Sequence, residues 1–262
     1  MTLPPHRVWG PQDTPPLLAL HCSLSHGGEW SALAAAMPAQ RLVAWDQPGH
    51  GRQPAWDGMR DLHREATADA VAMAEAFGQG APVDLAGHSF GATVALRLAL
   101  ERPDLVRRLV LVEPVLFAAA RGTAAFDGFA RGQGEMQRHL AAGDTGGATA
   151  AFLADWGGGV PFDSLPPVLR DYMTARIRMI PAQNGVLAED TAGLLRPGRL
   201  EALRGPVLLV EGDQSPPVIA AIQAALAARL PDVRRAVVPG AGHMLPVTHA
   251  TALAGLLAAH LA

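Results

Sequence analysis

Ser89 sits at the centre of Gly87-His88-Ser89-Phe90-Gly91, with a short apolar run ahead of it and an Ala/Leu-rich segment behind. A Gly-x-Ser-x-Gly pentapeptide in that setting predicts a strand that turns sharply into a helix, with the serine at the apex. The turn is too tight for side chains at its flanks, and it holds Ser89 in a strained backbone conformation with the hydroxyl projecting. The Ser89 N–H lies near the start of the next helix, where partial positive charge collects. Such a serine can attack a carbonyl carbon. The bland alternative is a glycine-flanked turn with an idle serine, and the strand before and helix after weigh against it.

A serine hydroxyl needs a base to take its proton, and the base needs an acid to fix its tautomer. In an open α/β sheet reactive groups gather beyond the carboxyl ends of strands. Asp213 follows Pro-Val-Leu-Leu-Val-Glu-Gly and His243 follows Arg-Ala-Val-Val-Pro-Gly-Ala-Gly, each an apolar run ending in a turn. Ser89, Asp213 and His243 are therefore the expected catalytic residues, in the order Ser…Asp…His. Glu113, ending the run 109–113, is the runner-up acid, and Glu211 falls before its turn. His88 adjoins Ser89 and is badly placed to be its base, while His249 and His260 read as helix-end residues. Charge on a tetrahedral intermediate needs two N–H donors. One is expected from Phe90, the residue after the serine, and the other from residues 21–24, just after the first strong strand.

Near-continuous apolar runs at 17–21, 41–45, 83–87, 109–113, 207–211 and 234–238 suit strands buried on both faces. Helical patterns at 30–37, 62–77, 92–101, 218–228 and 248–261 alternate with them, and Val8-Trp9 could add a short strand at the front. The alternation predicts an α/β fold with a doubly wound, mostly parallel sheet, formed by residues 1–115 and 200–262. Residues 116–199 break the rhythm. Glycine and proline there separate helices near 124–142, 146–155 and 165–180, which predicts a helical lid inserted between two core strands. Most of its aromatic and methionine side chains are expected to pack the lid itself. Trp156, beside three glycines, is the one assigned to a substrate pocket.

Composition removes several classes of function. All 21 basic residues are arginine, so a Schiff-base or Walker-type lysine is excluded. Net charge is −3 and no basic run occurs, which argues against nucleic acid. The single cysteine, Cys22, rules out an internal disulfide, and no His/Asp/Glu cluster has ligand spacing. The amino terminus lacks the apolar centre of a signal peptide, and no stretch is long enough to span a bilayer. The expectation is a cytoplasmic protein that needs no metal or cofactor and whose partner is a small molecule. Its oligomeric state stays open.

His21-Cys22-Ser23, Asp46-Gln47-Pro48-Gly49-His50-Gly51-Arg52, the serine pentapeptide, Glu211-Gly212-Asp213 and Pro239-Gly240-Ala241-Gly242-His243 together resemble the α/β-hydrolase superfamily, in its lidded, esterase- and lactonase-like branch. The resemblance implies that Ser23 provides the second oxyanion N–H and that His21 is structural. It also implies that some members carry the acid where Glu113 stands. Two positions depart from the pattern. Cys22 replaces the usual glycine, where any positive φ would carry strain, and Gln53 replaces a small hydroxyl residue. The His26-Gly27-Gly28 triplet starts too far from the strand to form the oxyanion motif of lipases. The implied activity is a serine esterase acting on a small, rather apolar ester, thioester or lactone through an acyl-enzyme. The alternatives are C–C bond hydrolysis, lyase or perhydrolase chemistry with the same triad, or a ligand-binding member without turnover.

Overall fold

The computed structural model describes residues 2–262. Seven strands form one sheet: β1 (His6–Trp9), β2 (Leu17–Leu20), β3 (Leu42–Trp45), β4 (Val83–His88), β5 (Val106–Val112), β6 (Val207–Gly212) and β7 (Val233–Val238). Their spatial order is β1-β3-β2-β4-β5-β6-β7. Only β1 runs antiparallel to its neighbour, β3; every other pair is parallel.

The helices are α1 (Ser31–Ala36), α2 (Leu62–Gly78), α3 (Phe90–Glu101), α4 (Ala124–Ala141), α5 (Thr145–Trp156), α6 (Pro167–Thr174), α7 (Met179–Ala182), α8 (Asn184–Leu187), α9 (Pro217–Ala227), α10 (Leu245–Thr248) and α11 (Ala250–Leu261). Strand periodicity sorts the side chains into two cores. Leu18 and Leu20 of β2 join the core beneath α2, α3 and α9, whereas Leu17 and Ala19 join that beneath α1 and α11. Burial on both faces explains why β2, β3 and β4 read as apolar runs without alternation.

The expected architecture, an α/β fold with a doubly wound and mostly parallel sheet, is the one observed. Strand β5 starts three residues before the apolar run, because Arg107 and Arg108 extend it while their guanidinium groups reach Asp84 on β4. The last helical pattern divides into α10 and α11 around His249, whose φ of −127° is not helical. Between β5 and β6 lie only helices among the described residues, α4 to α8 with short 3-10 turns. The pattern at 165–180 gives α6, which stops at Thr174, and a separate short α7.

Candidate active site

Strand β4 delivers Ser89 with φ 56° and ψ −118°, and α3 starts at the next residue. The flanking glycines are dictated by packing: a Cβ on Gly87 would overlap the Gly91 carbonyl, and one on Gly91 would meet the Leu20 and His21 carbonyl oxygens at the end of β2. Only five non-glycine residues among those described have positive φ, and Leu24, Ser89 and Glu113 all belong to this one region. Each such residue stores on the order of 1–3 kcal/mol of strain, held by the surrounding structure.

Ser89 Oγ lies 3.0 Å from His243 Nε2, and His243 Nδ1 lies 3.0 Å from Glu113 Oε2. The carboxylate that meets the imidazole is thus Glu113 and not Asp213. Asp213 is exposed, and its Oδ1 accepts from the Gly240 N–H at 2.7 Å, so it serves the turn leading to His243 without touching the ring. The reason is lateral position in the sheet. Strand β5 lies directly beside β4, whereas β6 is one strand further away. Glu113 leaves the end of β5 with φ 53°. Its Oε1 accepts from the Gly212 N–H and from the Ser215 hydroxyl, both at 2.7 Å. Both acids follow strands and both satisfy the order Ser…acid…His, so only the neighbour relation of the strands separates them.

Burial pushes His243 below the ordinary histidine value of 6.5; the bond and charge of Glu113 oppose this, and the charge of His88 adds to the lowering. Burial would raise Glu113, but the His243 bond and charge, together with the Gly212 and Ser215 donors, hold it below the usual 4.5. With Glu113 ionised, His243 carries its proton on Nδ1 and offers the Nε2 lone pair to Ser89. That is the protonation state a base requires.

Ser23 lines a cavity with Ser89 and His243. Among the described residues, neither the Ser23 N–H nor the Phe90 N–H donates a hydrogen bond. The loop around Ser23 is tied on both sides. His21 Nδ1 donates to the Cys22 carbonyl at 2.7 Å and its Nε2 accepts from the Gln47 N–H at 3.0 Å. The Leu24 N–H donates to His50 Nε2 at 3.1 Å, and burial, aided by the charge of His21, holds His50 neutral with a pKa of about 3. Asp46 supports the same loop by accepting from the Gly27 N–H at 2.9 Å and from Arg52 at 3.0 Å. Cys22 does not adopt positive φ; the strained residue of this turn is Leu24, at φ 60°.

The cavity wall is mostly apolar and includes Val115, Phe117, Phe152 and Leu187. Trp156 meets His243 edge-on, with ring centroids 4.7 Å apart, and packs with Phe117 and Phe129. Gln183 adds a polar group: Oε1 accepts from Ser23 Oγ at 2.9 Å, while its buried Nε2 has no acceptor among the described residues.

Sequence reasoning missed a second buried group. Glu29 Oε1 lies 2.7 Å from His88 Nδ1, and Glu29 Oε2 accepts from the Cys22 N–H at 3.2 Å and from its thiol at 3.0 Å. Burial raises the Cys22 thiol well above its ordinary 9.0, so it stays protonated. These three side chains cluster as a metal trio would, but their donor atoms are already joined to one another by protons. No spacing in the sequence brings positions 22, 29 and 88 together.

The sequence matches the model of the alpha/beta hydrolase family over residues 17–256. It is 30% identical over 257 residues to "Putative carbamate hydrolase RutD" of Klebsiella pneumoniae (strain 342), a match covering 90% of this chain and 87% of that one. It is also 39% identical over 108 residues to "Lipase LipV" of Mycobacterium tuberculosis, covering 41% of this chain but only 40% of the lipase. A solved hydrolase from Pseudomonas aeruginosa PA01 superposes with a TM-score of 0.75 at 22% identity, over 98% of this chain and 93% of that one. The chain belongs to the alpha/beta hydrolase family. No helix among the described residues is long and apolar enough to cross a membrane.

Proposed function

We propose that this protein hydrolyses small, largely apolar carboxylic esters, thioesters or lactones through a Ser89–His243–Glu113 triad and a covalent acyl-enzyme. The observation that carries the reading is the unbroken relay from Ser89 Oγ to His243 Nε2 and from His243 Nδ1 to Glu113, 3.0 Å at each step, against an apolar cavity. In the first half-reaction Ser89 Oγ forms a bond to the substrate carbonyl carbon while His243 Nε2 takes the hydroxyl proton. The carbonyl oxygen becomes an oxyanion, for which the free N–H groups of Ser23 and Phe90 are the donors. Collapse breaks the bond to the leaving group, which departs with the proton from His243. Water repeats the sequence on the acyl-enzyme, and the acid product frees Ser89. Glu113 keeps the proton on Nδ1 and stabilises the imidazolium; it does not itself take a proton.

The helices between β5 and β6 act as a lid, with Trp156 as its contact to the catalytic histidine. The apolar walls favour a short acyl or alkyl group, and Gln183 Nε2 offers one donor to a substrate oxygen. Relatives named as a lipase and a carbamate hydrolase fit acyl chemistry at this serine. The test is a fluorophosphonate probe read by intact-protein mass, followed by turnover of p-nitrophenyl esters of increasing chain length and of lactones. One adduct on the wild type, none on Ser89→Ala, and ester turnover are expected. A folded wild type that takes no label would overturn the reading. Labelling combined with turnover of a vinylogous diketone, and of no ester, would move it to C–C hydrolysis.

A further inference from the structure

We propose that Glu29 and His88 form a buried ion pair that positions the base and the oxyanion turn together; the catalytic part of this inference rests on the triad reading above. His88 Nδ1 faces a Glu29 oxygen at 2.7 Å, and its Nε2 faces the backbone carbonyl of His243 at 2.8 Å. Both are acceptor atoms, so each ring nitrogen must carry a proton and the ring is an imidazolium. Its counter-charge is Glu29, and the side chains of both residues are fully buried. The other Glu29 oxygen holds the Cys22 N–H and thiol.

The consequence lies in which residues these bonds reach. His88 precedes Ser89, Cys22 precedes Ser23, and the carbonyl bound by His88 belongs to His243 itself. A single carboxylate, acting through one imidazolium, therefore fastens three catalytic segments that come from distant parts of the chain. Neither residue touches the reacting atoms, so both are positioning residues. The pair also acts electrostatically. The His88 and His243 rings lie 5.1 Å apart, and a cation at that distance disfavours protonation of His243. Among the described residues the charged groups set against His243 are Glu113, His88 and Glu29. Glu113 and Glu29 favour its protonated form and His88 opposes it.

The experiment has two arms. The first reads the wild type directly, through the side-chain nitrogen and proton NMR signals of nitrogen-15-labelled histidines near neutral pH. One ring with both nitrogens protonated is expected, at a pH where exposed histidines are neutral, and it should vanish in Glu29→Gln. All rings neutral would overturn the proposal. The second arm measures kinetics of Glu29→Gln, His88→Asn and the double variant. Displacement of a catalytic group by a fraction of an ångström to 1 Å costs up to about 100-fold in rate. A fall in kcat of about 10- to 100-fold is expected with a much smaller change in KM. The acid limb of the kcat/KM profile should move to higher pH in both single variants, and the double variant should be little worse than either. Full activity, or lower activity with an unmoved acid limb, would reduce the pair to a structural role. If the variants do not fold, the wild-type spectrum still decides. An inactive wild type that shows the doubly protonated ring would remove the hydrolase reading and leave the ion pair standing.

Discussion

Replacing Glu113 by glutamine tests the assignment of the acid more sharply than removing it. The amide oxygen can still accept from the Gly212 N–H and the Ser215 hydroxyl, which the carboxylate holds at 2.7 Å, so the local fold is preserved. The amide nitrogen then occupies the place of the oxygen that lies 3.0 Å from His243 Nδ1. It donates where the carboxylate accepted, so Nδ1 must give up its proton and Nε2 must carry one. A protonated Nε2 cannot take the proton of Ser89. A change of this kind in a serine-protease triad lowers kcat by about 10,000-fold. The expectation for Glu113→Gln is a loss of about 1,000- to 10,000-fold in kcat, or roughly 4–5 kcal/mol of barrier. KM should change little, because Glu113 does not line the cavity. Asp213→Asn is the paired control. Asp213 is exposed and bonded to the turn, so a change of at most about 2- to 3-fold is expected, the scale of surface substitutions. Steady-state hydrolysis of p-nitrophenyl acetate measures both variants, with thermal unfolding of each as the check on folding. Loss of activity in Asp213→Asn with near-normal turnover in Glu113→Gln would refute the geometric assignment.

The Glu29–His88 pair should also appear in acid stability. Burial works to raise the Glu29 carboxyl, yet the His88 charge and hydrogen bond more than offset it and bring it from 4.5 to about 2. A depressed carboxylate contributes stability that is present above pH 4.5 and lost as pH falls towards 2. The wild type should therefore lose up to about 3 kcal/mol more than Glu29→Gln across that window in urea unfolding; parallel losses would count against it. Trp156→Ala removes the ring that lies 4.7 Å from His243 and opens space in the cavity. It should shift the preferred p-nitrophenyl ester to a longer acyl chain with a higher KM for short ones, and an unchanged chain-length profile would place Trp156 outside substrate selection.

Much of the fold was legible because buried parallel strands leave unmistakable apolar runs. The 207–211 run and the 83–87 run coincide with β6 and β4 to within a residue. In the sequence strand β5 looks three residues shorter than it is, because Arg107 and Arg108 resemble solvent-facing residues until Asp84 on the neighbouring strand is seen. Ser89 and His243 stood out through glycine punctuation, which marks tight turns whatever their tertiary setting. The acid was harder. Asp213 and Glu113 obey the same local rules, and only the lateral order of strands, which local patterns do not encode, brings Glu113 to the ring. Glu29 was less visible still. It precedes Trp30 at the start of an unremarkable amphipathic segment, and nothing near it signals a partner at position 88.

Glu113 has one more property, which concerns the chain's architecture. It is the first residue after β5, and its bonds to Gly212 and Ser215 reach across to the far end of β6. The carboxyl ends of the two parallel strands β5 and β6 are thereby clipped together by the residue that also orients His243. Helices α4 to α8 leave the sheet just beyond Glu113 and rejoin it at Val207, the opposite end of β6, so the whole segment lies outside the clasp. Their number, length and lining can change while the clasp, and with it the alignment of the histidine, stays where the sheet puts it. Selectivity can be rebuilt on the outer side of the clasp without disturbing the reactive machinery on the inner side.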